Sequence, residues 1–204
     1  MYTHADEFVP CSPTCQCAAQ PQSPPHYPLI LHSYCSTLQR TIATAERVHE
    51  QLAKRLQVRV VRWRALAEID AGIYDGYTYS QIEDSDPSGA VERAMDKLHY
   101  QYPQGESYKD VIDRLERVLM EIMRCECPIV VIAHQAVIRC LYGYLLDVDL
   151  NGIPHIAIPL HHVMTVLPHA YGAEKHVADL TDLTNEAEMA TAGSAHEGAA
   201  EGIN

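Results

Sequence analysis

The stretch "PIVVIAHQAVIRCLYGYLL", residues 128–146, constrains the fold more than any other part of this chain. Its β-branched run has no polar alternation, so it reads as a strand buried on both faces, as parallel strands in α/β proteins are. The run stops on His134 and resumes as a mostly apolar helix. The same rhythm appears in "LILHSYC", a short apolar strand, followed by the helical pattern "STLQRTIATAERVHEQLAKRL". Strand followed by helix, twice, predicts an α/β fold with a mostly parallel sheet.

Local signals fill in the rest. Ser36 or Thr37 is placed to cap the first helix, in which Ile42, Ala45, Val48 and Leu52 share a face. "SYKDVIDRLERVLMEIM" sets Tyr108, Val111, Ile112, Leu115, Val118, Leu119, Ile122 and Met123 at intervals of three and four, an amphipathic helix capped by Ser107. Short strands are expected near "HIAIPL", "VMTVL" and "HVADL". The polar segment from Tyr77 to Tyr108, with "DPSG" as a turn, reads as an irregular insertion of the kind that covers a site.

With 204 residues and 47% hydrophobic content the chain suits one domain with a real core. That domain is expected at 29–183. Residues 1–28, rich in Pro, Ser and Gln, read as a disordered leader, and the small acidic stretch 184–204 as a disordered tail. Cys11, Cys15 and Cys17 in the leader are irregularly spaced with no obvious fourth ligand, so no metal is expected there. A formal charge of -12 disfavours nucleic acid and anionic membrane, both polyanions. No apolar run approaches the roughly 20 residues that span a bilayer. Without a signal-peptide pattern, and with Cys125, Cys127 and Cys140 in or beside apolar elements, the default compartment is the reducing cytoplasm.

His134, at the carboxyl end of a strand and just before a helix, occupies the place where open α/β sheets hold ligands and where free N–H groups favour an anion. It could equally be a histidine that merely ends a strand. Arg139, one turn into that helix, can grip a phosphate with two parallel hydrogen bonds. Arg40 lies in the first turn of its helix, where the helix dipole opposes a cation, so it either serves a ligand or is a solvated surface arginine. Glu68, among apolar neighbours in "LAEIDAG", is a candidate proton donor, with Asp70 as its competitor; either could instead cap the turn at "DAG". Arg93, Lys97, Tyr79 and Tyr108 come from the polar insertion.

Taken together, "STLQRTIATAE", "LAEIDAGIYDGYTYSQI", "YPQGESYKDVIDRLE", "VVIAHQAVIRCLYGYLLD" and "IPLHHVMTVLPHAYG" resemble the bisphosphatase domain of 6-phosphofructo-2-kinase/fructose-2,6-bisphosphatase, within the histidine phosphatase (phosphoglycerate mutase-like) superfamily. The resemblance implies a three-layer α/β fold with no cofactor and a cytoplasmic role in fructose metabolism and the regulation of glycolysis. It also implies a reaction in which a histidine takes the 2-phosphoryl group of fructose 2,6-bisphosphate and water hydrolyses the phosphohistidine. On the matching positions Arg40 would hold the transferring group, His134 would donate to its oxygens, and Glu68 would protonate the leaving sugar oxygen. Tyr79, Arg93, Lys97, Tyr108, Gln135 and Arg139 would hold the sugar and its 6-phosphate. A homodimer is compatible with the resemblance.

The family's nucleophile belongs to an Arg-His-Gly motif on its first strand, and the sequence contains no Arg-His-Gly. His4 and His32 are neither preceded by Arg nor followed by Gly. No Gly-x-x-x-x-Gly-Lys-Ser/Thr loop is present, so no ATP site is implied. The domain is therefore expected to be an N-terminally truncated member, weakly active or inactive toward fructose 2,6-bisphosphate. A module that binds the sugar bisphosphate without converting it, and a broad phosphoglycerate mutase-like phosphatase, are the alternatives. In the family the nucleophile strand lies beside the strand ending at the second histidine, so "PIVVIA" is expected to lack one ladder partner.

Overall fold

The computed structural model describes residues 30–169 and 171–180. The expected leader and tail, with His4, Cys11, Cys15 and Cys17, lie outside the described residues. The first unit is β1 (Ile30–Ser36), α1 (Gln39–Leu52) and β2 (Gln57–Trp63), and β1 pairs in parallel with β2 from Ile30 opposite Gln57 to Ser36 opposite Trp63. A later strand, β3 (Ile129–Ile132), pairs in parallel with the other edge of β1, giving the order β2-β1-β3.

Alternation along β1 divides the layers, because successive side chains of a strand point to opposite faces. Ser33 faces α1, where its Oγ meets His49 Nε2 at 2.6 Å. Tyr34 faces the other way, into a core shared with Leu66, Val111, Leu115, Val118, Val137 and Leu141. Those residues belong mostly to α4 (Tyr108–Arg124) and α5 (Gln135–Leu145), so the sheet lies between α1 and an α4–α5 layer. Leu115 is fully buried there, and truncation to Ala would cost about 2–5 kcal/mol.

α4 carries the expected cap. Ser107 accepts from Asp110 N while the Asp110 carboxylate accepts from Ser107 N, a reciprocal capping box. Its buried stripe runs through Tyr108, Val111, Leu115 and Val118, but Met123 is 57% exposed because the stripe drifts off the core by the last turn. The α1 cap differs from expectation. Leu38 is the N-cap, with no side-chain cap bond, and the Ser36 hydroxyl accepts from Leu38 N at 3.2 Å as well as meeting His134.

Two expectations fail in the middle of the chain. The segment after Tyr77 is not irregular: it forms α2 (Tyr79–Ser85), opened by a Thr78–Gln81 capping box, and α3 (Pro87–Met95). "DPSG" is a helix start, with the Asp86 side chain accepting from Gly89 N and Pro87 at the first helical position, where its missing N–H costs nothing. "HIAIPL" is not a strand. It leaves a 3-10 turn at Leu150–His155 that contains Pro154, and Ile156 N closes that turn on Ile153 O. β4 (His162–His169) and β5 (Gly172–Asp179), by contrast, form the expected strands as a separate antiparallel hairpin.

The third correction is β3. All four of its residues are half-buried rather than buried on both faces, and among the described residues the strand pairs with β1 alone. Its composition is that of an interior strand and its position is an edge, so its outer backbone groups have no ladder partner there. No helix of the described residues is long and apolar enough to cross a membrane.

Candidate active site

The site is built on the carboxyl ends of β1 and β3 and the first turn of α5. His134, two residues past β3, is the N-cap of α5, buried to 6% exposure and making no cap bond with its side chain. Its ring bridges two elements. Arg40 Nε donates to His134 Nδ1 at 3.2 Å, and His134 Nε2 lies 2.9 Å from Ser36 Oγ. A guanidinium is always a donor, so Nδ1 is the acceptor and the ring proton of the neutral imidazole sits on Nε2, directed to the hydroxyl. Burial, reinforced by the Arg40 and Arg114 charges, pushes the His134 pKa down to about 4, so the ring is neutral at physiological pH.

Glu68 and Asp70 separate cleanly. Glu68 reaches α5, where its Oε1 accepts from Ala136 N at 3.1 Å and from Ile69 N at 3.0 Å, leaving Oε2 without a partner among the described residues. Asp70 caps the "DAG" turn, accepting from Gly72 N at 2.8 Å. The turn needs glycine at position 72: its φ is +58°, and an added Cβ would fall 2.0 Å from Pro103 O.

Of the other predicted residues, Arg139 and Lys97 stand at Tyr108, the first residue of α4 and 6% exposed, while Arg93 and Tyr79 meet at Tyr102. Arg139 Nη1 donates to the Tyr108 hydroxyl at 2.9 Å and Arg139 Nε to Ile156 O at 2.7 Å. Lys97 donates to Pro154 O at 2.9 Å and stands 5.9 Å from the Tyr108 ring centre. Arg93 donates to the Tyr102 hydroxyl at 2.8 Å and lies 4.8 Å over the exposed Tyr79 ring. Burial and the nearby Arg139 and Arg93 charges push the Lys97 pKa down to about 8. Gln135, the first residue of α5, is exposed and makes no side-chain hydrogen bond among the described residues.

None of Arg40, Arg93, Lys97 or Arg139 has a carboxylate within ion-pair distance among the described residues; the acidic partners go to Arg62, Lys109 and Arg114. In a chain carrying a net charge of -12, Arg93, Lys97 and Arg139 are a local concentration of positive charge, with the Glu68 carboxylate acting on Tyr102 and Tyr108 beside them. An oxygen that took the place of the Ser36 hydroxyl could accept from His134 Nε2, and Glu68 Oε2 has the chemistry to exchange a proton.

Three participants escape sequence reasoning. Ser36, expected only at the start of α1, where its hydroxyl accepts from Leu38 N, is also the hydroxyl partner of His134. Arg114 Nε and Nη2 grip the two Glu106 oxygens at 2.9 and 3.1 Å, while its guanidinium also donates to the carbonyls of Ala65, Ala67 and Glu68. Glu106 in turn accepts from Asp70 N at 3.0 Å, so this ion pair fixes the loop that presents Glu68. The available signal was a charge on the apolar stripe of α4: Arg114 is three residues after Val111 and four before Val118, on the face those two bury.

Comparison with known proteins identifies the family. The chain is 44% identical over 149 residues to the 6-phosphofructo-2-kinase/fructose-2,6-bisphosphatase of Arabidopsis thaliana, covering 73% of this chain and 19% of that protein. It is 42% identical over 138 residues to a probable fructose-2,6-bisphosphatase of Schizosaccharomyces pombe, covering 68% of this chain and 32% of that one. The chain thus spans between a fifth and a third of the length of these relatives. Among solved structures it resembles a mycobacterial glucosyl-3-phosphoglycerate phosphatase, with a TM-score of 0.58 at 24% identity over 74% of this chain and 76% of the other. A putative alpha-ribazole-5'-P phosphatase of Escherichia coli gives 0.60 at 19% identity over 72% of each chain, a likeness of fold alone. Residues 20–180 match the histidine phosphatase superfamily (branch 1), over most of the chain, and this chain belongs to that superfamily and carries a bisphosphatase-like domain.

Proposed function

We propose that this domain recognises fructose 2,6-bisphosphate and that the chain hydrolyses it weakly or not at all. The observation that carries the recognition is the group of cations Arg93, Lys97 and Arg139, close enough for the two arginines to act on Lys97, none of them ion-paired with a carboxylate among the described residues. Burial, and after it the Arg139 and Arg93 charges, lowers the Lys97 pKa, and a bound phosphate would offset both, so ligand binding and electrostatic relief act in the same direction. In this reading the 6-phosphate sits among those cations, and the 2-phosphoryl group sits between Arg40 and His134. Glu68 is then within reach of the sugar oxygen that leaves.

The limit on hydrolysis is chemical. The family's phosphohistidine route needs a second imidazole as nucleophile. His32 is on β1, but four residues before Ser36, which places it about 13 Å down the strand from the hydroxyl at the site. His134 has its Nδ1 committed to Arg40 and its Nε2 to Ser36. The same geometry supports a domain that holds the sugar bisphosphate without converting it, in the reducing cytoplasm that its thiols suit.

Calorimetric titration with fructose 2,6-bisphosphate, run beside phosphate release, tests both halves. The expected result is binding that Arg139→Ala weakens at least tenfold, with phosphate release near the uncatalysed level. Robust turnover abolished by His134→Ala would show that another nucleophile operates, and absence of binding by the native chain would remove the recognition reading.

A further inference from the structure

At the opposite end of the sheet from His134, three ligand-type side chains meet. His32 occupies the amino-terminal half of β1, on the same face as Tyr34, with the two rings 6.4 Å apart. Cys125 is the C-cap of α4, and Cys127 lies two residues before β3. The backbone brings them together, because His32 N donates to Pro128 O at 2.9 Å and His32 pairs with Ile129 in the ladder. The result is a cluster in which the ring nitrogen and both sulfurs all lie within 4.8 Å of one another.

We propose that His32, Cys125 and Cys127 bind a thiophilic divalent cation, zinc above all, as a three-ligand site completed by an exogenous ligand. The donor set carries the choice of metal: two thiolates and an imidazole suit zinc, while calcium and magnesium require oxygen ligands. Tetrahedral zinc holds such donors about 3.5–3.8 Å apart. The cluster therefore has to tighten by about 1.3 Å at most, a movement available to Cys125, which is half-exposed at a helix end. His32 and Cys127 are buried at 7% and 5% exposure and supply the rigid side of the site.

The electrostatic surroundings permit the ion. Glu121 and Arg59 are the charged groups that act on His32, one of each sign, and burial first, then Arg59, keeps the imidazole in the neutral form a metal needs. Binding would proceed with loss of two thiol protons to solvent, leaving a zinc–dithiolate–imidazole unit of zero net charge. The bound ion would cross-link the amino-terminal half of the central strand to the α4–β3 turn, bracing the strand whose outer edge has no partner among the described residues. This proposal is independent of the phosphosugar reading, since no residue is shared.

The test uses the full reduced chain, stripped with a chelator and titrated with Zn²⁺ or Co²⁺ alone. The expected result is one tight equivalent, a cobalt spectrum with thiolate charge-transfer bands and tetrahedral d–d bands, two protons released per ion, and a higher Tm. Cys125→Ser, Cys127→Ser and His32→Gln should each weaken binding at least tenfold while far-UV circular dichroism of the metal-free variants stays native. The triple variant Cys11→Ser, Cys15→Ser, Cys17→Ser should bind as the parent does. No tight equivalent in the parent, a cobalt spectrum without thiolate bands, or loss of binding only in the triple variant would overturn the site.

Discussion

Lys97 offers the sharpest handle on the site, because its pKa of about 8 makes a phosphate-binding cation titrate in an accessible range. The perturbation is pH itself. At pH 7 the free protein holds Lys97 about nine-tenths protonated, and at pH 9.5 about 3%, so a ligand that needs the charged form should bind about 30-fold more weakly at the higher pH. That is about 2 kcal/mol. Few neighbouring groups confuse the profile. Phosphate monoesters complete their second ionisation near pH 6, guanidinium groups stay charged, and burial, the largest influence on each, raises the pKa of Tyr102 and Tyr108. The assay is calorimetric titration with fructose 2,6-bisphosphate from pH 7 to 9.5. Lys97→Arg should bind with a flat profile, and Lys97→Met should bind weakly at every pH, with thermal melts confirming that each is folded. A flat profile in the parent, or a slope that survives in Lys97→Met, would refute the assignment of Lys97 to the ligand.

The same shift has a sign for stability. A lysine whose folded pKa lies below its unfolded value destabilises the fold at neutral pH, and that cost fades as pH rises from about 8 toward 10.5, so Lys97→Met should raise neutral-pH stability of the ligand-free protein by about 1–3 kcal/mol in urea melts while impairing binding. His134 has a folded pKa of about 4 against an ordinary 6.5, so its contribution is present above pH 6.5 and lost as pH falls toward 4; acid titration of stability should be shallower by about one proton in His134→Asn over that window. Arg114→Ala leaves the partly buried Glu106 carboxylate without its cation and three carbonyls without their donor, and should cost about 3–5 kcal/mol by chemical denaturation. The outer edge of β3, which has no ladder partner among the described residues, should make the isolated chain prone to associate, which concentration-dependent elution on size exclusion would show; reversible two-state melting with a monomeric profile would contradict it.

Much of this protein follows from short-range chemistry, and that part was legible in the residues. The apolar run before His134 and the stripe along α4 declare a strand and a helix because burial must match the period of each element. Ser107 caps α4 because its hydroxyl and the Asp110 carboxylate are three residues apart in sequence. His134 and Arg139 draw attention for the same reason: polar groups set within apolar segments need a purpose. The starts of α2 and α3 were also local, in the Thr78–Gln81 box and the Asp86–Pro87 pair, and the polar composition of that segment hid them. Other corrections turn on long-range contacts. "PIVVIA" has the composition of an interior strand, yet its burial depends on how many strands lie beside it, which no local pattern records. Ser36 has the spacing of a helix cap, but a histidine 98 residues away shares its hydroxyl. Glu68 and Asp70 were indistinguishable until the Arg114–Glu106 pair folded their loop and sent one carboxylate to α5 and the other into a turn. By itself the sequence determined the β1–α1 and β3–α5 units, α4, the α/β class and the residue types available for phosphate chemistry. Only the tertiary structure decided which cations come together, and that His32 meets Cys125 and Cys127 at the far end of the same sheet, because both depend on bringing distant segments within a few ångströms.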